Sequence, residues 1–492
     1  MSIKLNSGAL ADQLSQPILD RIWNQAWSKY SANNYLVGTA SYIVFTDGTN
    51  YYAKNDYTGI VEYSDTDASN VIQYAIDSLV GKWGTIVLAP GIYKLSKTIT
   101  MYPGIGLRGF YAGWSNITNS FGTILMGNFN DPIIKVVVHP NYTSNLLYTV
   151  HPYITELMIA SSAPSNSSNN HGIYLSSENG AINDMYIRNV MVYACKGHGL
   201  YISGGGKFYI TDSYFEVNSL DGIYIDYAWL VHIINNYIFG NRNGIYISPT
   251  NNSIQATIMG NTILGNKWHG IFVYPSVSNG HINIIGNNIG RSGSGSGYRN
   301  INMYSVANFI IANNVFFDDR SPITTAYHIV VAGLPNGGVI EGNIFRTPAA
   351  TDYLIISPGA KVYVRNNPGL PANLGKVNVS VPVGVNSTFG DGSYTYPFGN
   401  YFHIFNDFNA TITIDGSLAS GETITVKIML ALSDASYPYI TKTFTATGTY
   451  ELSVSDKMNL LQGGKDILYI IFYAMSNQAS TNATVSATVY AL

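Results

Sequence analysis

The sequence predicts an all-β protein whose middle part, about residues 84–370, is a parallel β-helix, and two repeated columns carry this prediction. In the first, a glycine precedes an aliphatic, an aromatic and a second aliphatic residue, with glycines 27, 23, 22 and 26 residues apart: Gly172, Gly199, Gly222, Gly244 and Gly270. The second is a polar residue between apolar ones with a similar period: Asn189, Ser213, Asn236, Asn261, Asn287, Asn313, Gly342 and Asn366. Such a period is the length of one three-sided coil.

Alternation along a strand decides which side of the coil each residue faces. Two aliphatic positions flank the aromatic one, so we expect both to point inward and to stack from coil to coil. One coil cannot bury these side chains alone, whereas coils stacked about 4.8 Å apart form a continuous core. The second column is then an inward asparagine ladder, whose amides hydrogen-bond between coils.

Composition excludes several classes of partner. The formal net charge of −3 offers no basic field to attract nucleic acid. Cys195 is the only cysteine, which excludes an internal disulfide and a cysteine-based zinc site. No window approaches 18 uncharged apolar residues and the N-terminus does not read as a signal peptide, so we expect neither membrane insertion nor Sec-type export. We expect no cofactor.

The N-terminal residues divide into two predicted segments. Residues 1–34 should form an amphipathic helix, either packed on its own chain or its symmetry mates or used for attachment to a larger assembly, because apolar residues recur every three to four positions: Leu14, Ile18, Ile22, Trp23 and Trp27. Residues 35–83 should contain a β-hairpin at Asp47-Gly48. A helix capped by Asp67 then closes the open end of the core.

The repeats open with Gly84-Thr-Ile-Val-Leu-Ala-Pro-Gly-Ile-Tyr-Lys-Leu, followed by Ile99-Thr-Met-Tyr-Pro-Gly-Ile-Gly-Leu-Arg-Gly. This stretch resembles the first coils of the pectate-lyase-like right-handed β-helix superfamily, in which a helix and two such strand motifs come in this order. The resemblance covers residues 65–370 and implies a right-handed parallel β-helix. Because that superfamily includes lyases, glycosidases, viral tailspikes and non-catalytic adhesins, it implies no single activity.

After residue 370 the period ends and a different pattern begins. Residues 371–492 contain long runs of alternating apolar and polar residues, separated by Gly, Asp, Ser and Asn. This pattern predicts a C-terminal antiparallel β-sandwich, similar to a jelly roll.

A glycosidase site in this fold would need two carboxyl groups facing one groove. The best cluster by position is Asp212, Glu216, Asp221 and Asp226, with His198 one coil earlier. Because Asp221 follows His198 in the glycine column, we expect these two side chains one strand spacing apart, as a charge-assisted pair. The structural alternative is that Asp212 and Asp221 cap backbone amides in turns. No metal site is expected, because Asp221 and Asn243 interrupt the histidines of this column.

The aromatic residues of the first column should point away from the core. They form a predicted outward stripe, with Trp229 and Trp268 nearby: Tyr174, Tyr201, Tyr224, Tyr246 and Phe272. An exposed aromatic stripe usually marks a contact surface. Three roles fit it: the subunit interface of a homotrimer, a platform for sugar rings, or packing of the rings on one another.

The layout of an attachment segment, a β-helix and a terminal β-sandwich resembles that of viral tailspikes and receptor-binding fibres. It implies a homotrimeric virion-surface protein that attaches to host surface polysaccharide or glycoprotein and contacts other virion proteins through its N-terminal segment. Two alternatives remain, and the pattern favours a non-catalytic role. One is a polysaccharide-degrading enzyme that uses the carboxylates near Asp212, and the other is a cellular adhesin or surface-layer component on the cell surface.

Overall fold

A computed structural model describes residues 40–110, 122–142, 151–249, 254–274, 277–293, 297–333, 337–356, 362–365, 367–368, 377–386, 388–390, 393–395, 408–432, 438–451 and 467–491. The predicted N-terminal helix within residues 1–34 lies outside the described residues, as does Asn366. Two compact units divide the chain, residues 1–224 and residues 225–492.

The first described element is an antiparallel β-meander of three strands: β1 (Tyr42–Thr46), β2 (Tyr51–Asn55) and β3 (Val61–Asp65). The turn between β1 and β2 forms at Asp47-Gly48, as the sequence predicts. Asp47 Oδ1 accepts hydrogen bonds from the N–H groups of Thr49 and Asn50, and Gly48 takes the left-handed conformation that such a turn requires.

A helix, α1 (Ala68–Asp77), follows the meander. The Asp67 carboxylate caps it by accepting a hydrogen bond from the Ser69 N–H. On the other side, the Gln73 amide exchanges two hydrogen bonds with the backbone of Thr100, in the first coil. The helix therefore supplies hydrogen-bond partners to a strand edge that would otherwise be unpaired at the end of the solenoid. No helix in the described part of the chain is long and apolar enough to cross a membrane.

Parallel coils make up the other described residues of the first unit. Its strands are β4 (Gly84–Leu88), β5 (Gly91–Leu95), β6 (Ile99–Met101), β7 (Ile105–Arg108), β8 (Thr123–Gly127), β9 (Ile134–Val136), β10 (Tyr153–Ser161), β11 (Ile173–Ser176), β12 (Met185–Tyr193), β13 (Leu200–Ser203), β14 (Lys207–Thr211), β15 (Tyr214–Glu216) and β16 (Ile223–Tyr227), the last crossing into the second unit. Each coil has three sides. The long strands β10 and β12 turn the corner between the first two sides, because each pairs with different partners at its two ends.

The second unit begins with coils of the same kind. Its strands are β17 (Leu230–Ile234), β18 (Tyr237–Phe239), β19 (Ile245–Ile247), β20 (Gln255–Met259), β21 (Thr262–Leu264), β22 (Ile271–Val273), β23 (Val277–Ile285), β24 (Asn288–Gly290), β25 (Arg299–Tyr304), β26 (Val306–Ala312), β27 (Val315–Phe317), β28 (Tyr327–Ala332), β29 (Gly337–Glu341), β30 (Ile344–Phe345), β31 (Asp352–Ile356) and β32 (Val362–Arg365). The third side contains β19, β22, β25, β28 and β31, in parallel register.

The inward aliphatic columns are confirmed. All ten side chains have an exposed fraction of 0%: Ile173, Leu175, Leu200, Ile202, Ile223, Ile225, Ile245, Ile247, Ile271 and Val273. Burial of one such side chain contributes about 1.5–3 kcal/mol, so these stacks supply much of the stability of the coils.

The asparagine ladder is also present, in the second unit, between the first and second sides of the coil. Each ladder residue except the last donates its backbone N–H to the Oδ1 of the next, at 2.8–3.0 Å: Asn236, Asn261, Asn287, Asn314, Asn343 and, as the last acceptor, Asn367. Each amide from Asn261 onward also donates to a backbone carbonyl. In the first unit, the Ser213 hydroxyl accepts from the Val190 N–H in the same way.

For three members of the predicted column, the predicted ladder position was wrong by one residue. Asn189, Asn313 and Gly342 stand just before the ladder position and have φ of 51°, 56° and 64°. Each coil needs a left-handed residue there to turn the corner, and Asn and Gly are the residue types that adopt this conformation most readily. Adjacent positions therefore select similar residues, and sequence spacing alone could not separate them.

A second ladder, which the sequence analysis missed, lies at the next corner. In the second unit, Asn241 N–H donates to Asn266 Oδ1 at 3.0 Å, and in the first unit Cys195 N–H donates to Asn218 Oδ1 at 3.0 Å. All four residues are buried. These side chains satisfy turn amides that water does not reach.

The C-terminal strands form two sheets: β33 (Val377–Val381), β34 (Val383–Gly384), β35 (Ser393–Thr395), β36 (Phe408–Asp415), β37 (Ile424–Leu432), β38 (Tyr439–Phe444), β39 (Gly448–Glu451), β40 (Ile467–Ser476) and β41 (Thr484–Ala491). One sheet has the order β33-β41-β36-β39 and the other β34-β40-β37-β38, with β35 also paired to β40. Their pairings are antiparallel except for the short parallel pair of β34 and β40. Alternate residues of both sheets share one buried cluster, which includes Ile412, Val426, Phe472 and Val485.

Candidate functional site

His198 and Asp221 lie together, as their shared column predicts, with Nδ1 and Oδ2 3.2 Å apart. Both are buried in the turn before the third side of the coil. His198 Nδ1 accepts the Asp221 N–H at 3.3 Å, and His171 Nδ1 accepts the His198 N–H at 2.9 Å. This geometry caps successive turns and leaves little of either side chain available to a ligand.

The histidines on either side of this pair in the column also act in the turns. Burial lowers the pKa of His171 to about 3 and that of His269 to about 4, with the neighbouring His198 and Arg299 charges adding to the effect. Both rings are therefore neutral at physiological pH. His269 Nδ1 accepts the Arg299 N–H at 3.1 Å.

Asp212 lies in the left-handed corner position between β14 and β15, with φ of 52°. Its carboxylate lies 3.3 Å from Arg188, and the two side chains are 38% and 67% exposed. An exposed ion pair of this kind contributes little to stability. This carboxylate already has a counter-ion, and it does not face Asp221.

Among the predicted carboxyl groups, Glu216 is buried and has a raised pKa. It lies on the outer face of β15, because Phe215 points inward, and its neighbours in the column are Tyr193, Ala160 and Met126. The side chain is 2% exposed, and its Oε1 accepts no hydrogen bond from any described residue. Burial raises its pKa to about 7 from the ordinary 4.5.

The four predicted carboxylates do not meet in one groove. Residues 212–226 pass two corners of the coil, so Asp212 and Asp221 occupy corners, whereas Glu216 lies on the second side and Asp226 on the third. In the described part of the chain, no group of three or more His, Cys, Asp or Glu side chains is arranged to hold a metal ion.

In the first unit the predicted stripe points outward, as expected, but its rings are half-buried rather than fully exposed. Tyr174 and Tyr201 have ring centroids 4.9 Å apart, and Tyr201 and Tyr224 5.0 Å. His198 stacks on Tyr224 at 4.5 Å. Because parallel strands repeat at nearly the same distance as stacked rings, each ring covers part of the next.

In the second unit, the predicted stripe residues Tyr246 and Phe272 are also half-buried, and more exposed rings lie next to them. Tyr246 stacks on Phe272 at 4.8 Å, and two residues that the sequence analysis missed extend the stripe, Tyr274 and Tyr304, whose rings are 5.2 Å apart. These two are 44% and 43% exposed. Continuing the period-two alternation by one step beyond Phe272 would have identified Tyr274.

The two predicted tryptophans lie on different sides of the coil. Trp229, 45% exposed, precedes β17 on the first side, away from the stripe. Trp268, 41% exposed, lies in the turn before β22 on the third side, where its ring stacks on Tyr298 at 6.0 Å with an interplanar angle of 6°. We use the name aromatic face for Trp268, Phe272, Tyr274, Tyr298 and Tyr304.

Comparison with known proteins supports the fold. Residues 154–297 match the family described as the right handed beta helix region. The structure is similar to ORF18 of Geobacillus virus E2, with 15% sequence identity, 79% of this chain and 73% of that chain covered, and a TM-score of 0.50. No curated protein sequence matches this chain.

Two further similar structures have lower scores. The A-module of mannuronan C-5 epimerase AlgE4 from Azotobacter vinelandii shares 17% identity over 61% of this chain and 91% of that one, with a TM-score of 0.43. The enzymatically active domain of tailspike protein 2 from bacteriophage CBA120 shares 11% identity over 84% and 76%, with a TM-score of 0.43. Likeness at such identities concerns the fold and not the activity. The family match over residues 154–297, the likeness to ORF18 at a TM-score of 0.50 and the parallel coils themselves confirm the expected right-handed parallel β-helix.

Proposed function

Because this chain contains a right-handed parallel β-helix with the fold of the pectate-lyase-like superfamily, we propose that it is a virion-surface attachment protein that binds host surface polysaccharide on the aromatic face. The observation that carries the proposal is the exposure of Trp268, Tyr274 and Tyr304 on one side of the second unit. Large exposed rings cost free energy in water unless a partner covers them. The face of a sugar ring, which presents C–H groups, is such a partner.

The geometry favours binding over cleavage. Glu216 has a raised pKa that suits a general acid. Its side chain is only 2% exposed, so a glycan on the surface does not reach its carboxyl group. Asp212 is paired with Arg188, Asp221 is buried beside His198, and Asp226 lies on the third side of the coil. Among these four predicted carboxyl groups, no two lie together in a groove that a polysaccharide could reach, so they do not support a degrading activity.

Substitution of both exposed tyrosines tests the binding surface. An array of bacterial capsular and O-antigen glycans first identifies the polysaccharide that the parent chain binds. We expect the Tyr274→Ala, Tyr304→Ala double variant to bind this polysaccharide at least tenfold more weakly. The control is Tyr439→Ala, which removes a tyrosine that is 59% exposed on the C-terminal sheets. Equal binding by the parent and the double variant would exclude the aromatic face.

The proposed assembly is a homotrimer, with the N-terminal segment contacting other virion proteins. Fibre proteins of this layout gain avidity when several copies present the same surface, because one binding event raises the effective concentration for the next. Light scattering of the purified full chain should give three times the mass of 53.6 kDa. A monomer at micromolar concentration would count against this assembly.

A further inference from the structure

The turn between β2 and β3, together with the first residue of β3, presents three apolar side chains to water. Tyr57 is 98% exposed, Ile60 61% and Val61 44%. Tyr57 and Ile60 are the two most exposed large apolar side chains in the part of the chain that the structure describes. We call these three residues the meander tip. A group of exposed apolar side chains of this kind marks a contact surface.

Hydrogen bonds within the turn hold the meander tip in place. Asn55 Oδ1 accepts the N–H groups of Tyr57 and Thr58, at 3.0 and 3.2 Å. The Asn55 N–H donates to the Ile60 carbonyl and the Asn55 carbonyl accepts the Gly59 N–H, both at 2.9 Å. Because the turn is fixed by these bonds, its apolar side chains do not fold back onto the sheet without breaking them. A separate segment is therefore needed to remove them from water.

The N-terminal part of the chain enters the described structure beside this turn. The Ser41 carbonyl accepts the Asp56 N–H at 3.1 Å, and Tyr42 pairs with Asn55 at the end of β2. An extended chain advances about 3.3 Å per residue. Residues four to six positions before Ser41 are therefore tethered within about 13–20 Å of the base of the turn, which is close enough to contact the meander tip.

The residues at those positions match the meander tip chemically. They are Tyr35, Leu36 and Val37, three consecutive apolar residues. No charged side chain occurs from Tyr30 to Thr46. This segment therefore brings no charge of its own into an apolar contact, and no charge of the segment has to be desolvated.

We propose that Tyr35, Leu36 and Val37 dock on the meander tip of the same chain and cover it. Burial of the two sets of apolar side chains against each other drives this contact. The contact fixes the place at which the residues before Tyr35, with the predicted amphipathic helix, leave the first unit. This inference does not depend on the proposed glycan-binding function, because it concerns other residues and another kind of partner.

Disulfide trapping in the full chain tests the contact. We expect the Leu36→Cys, Ile60→Cys double variant, oxidised with diamide, to form a disulfide within one chain. Mass spectrometry detects it as a link between the tryptic peptides 30–54 and 55–82. The native Cys195 does not interfere, because it is buried and burial raises the pKa of its thiol to about 12.

The matched control is the Leu36→Cys, Thr49→Cys double variant. Thr49 is exposed in the turn between β1 and β2, at the opposite end of these strands, so both thiols should stay free. A folded Leu36→Cys, Ile60→Cys chain that also keeps its thiols free overturns the proposal. A disulfide between two chains, seen as a doubled mass on a non-reducing gel, assigns the meander tip to a second copy and overturns it as well.

Hydrogen exchange provides a measurement without introduced cysteines. Ile60→Asp places a carboxylate in the apolar contact, so we expect the amides of residues 30–39 to exchange at least tenfold faster than in the parent. Thr49→Asp should leave their exchange unchanged. Equal exchange of residues 30–39 in the parent and in a folded Ile60→Asp chain would show that this segment does not cover the meander tip.

Discussion

Replacing Asn287 with alanine is expected to lower the free energy of unfolding by about 3 kcal/mol or more. Asn287 Oδ1 accepts the backbone N–H and the amide of Asn261, both at 2.9 Å. Its own amide donates to the Ile258 carbonyl at 2.9 Å. Alanine leaves these buried groups without partners, and each unsatisfied buried group costs about 1–3 kcal/mol.

The matched control for this variant is Asn313→Gly. Asn313 occupies the left-handed corner position, where Gly260, Gly286 and Gly342 occur in other coils. Glycine adopts this conformation without strain, so stability should change by only about 0.5 kcal/mol. Chemical denaturation followed by circular dichroism measures both variants, and hydrogen exchange of the Asn261 amide reports the local opening. An Asn287→Ala chain as stable as the parent would show that the ladder is dispensable.

The second large effect is expected at Glu216, where removing the ionisable group should raise the free energy of unfolding rather than lower it. Below about pH 4.5 its carboxyl is protonated in both the folded and the unfolded chain. Between 4.5 and 7 the unfolded chain releases this proton while the folded chain keeps it, so stability falls as the pH rises. Above pH 7 the full penalty is present and amounts to about 3 kcal/mol.

Glu216→Gln removes the ionisable group and should therefore match the parent at pH 4 and exceed its stability by about 3 kcal/mol at pH 8. Denaturation of both chains across this range measures the difference, in which the titration of all other groups cancels. Glu178→Gln is the control, because that carboxylate is 59% exposed and pairs with Lys135 on the surface. Parallel pH profiles for the parent and Glu216→Gln would refute the raised pKa.

Much of the fold follows from periodicity in the sequence. The inward aliphatic columns, the corner asparagines, the Asp47-Gly48 turn and the Asp67 cap depend on residue type and spacing within one coil or one turn. A repeat buries its apolar side chains only by stacking, so a constant period implies the stacked structure. The errors at Asn189, Asn313 and Gly342 arose where neighbouring positions select the same residue types.

The candidate site depends on contacts that spacing does not reveal. The predicted stripe, from Tyr174 to Phe272, is an outward column in the sequence, but ring stacking leaves its members half-buried. The more exposed rings are those of Tyr274 and Tyr304. His269 and Arg299 occupy the same turn in successive coils although 30 residues separate them.

The sequence by itself therefore determined the all-β class, the coil period and the direction in which each column points, because these are properties of the backbone and of local alternation. Only the tertiary structure decided which polar groups lack partners. The burial of Glu216 depends on the side chains that adjacent coils bring over it, and this packing varies with the length of each turn.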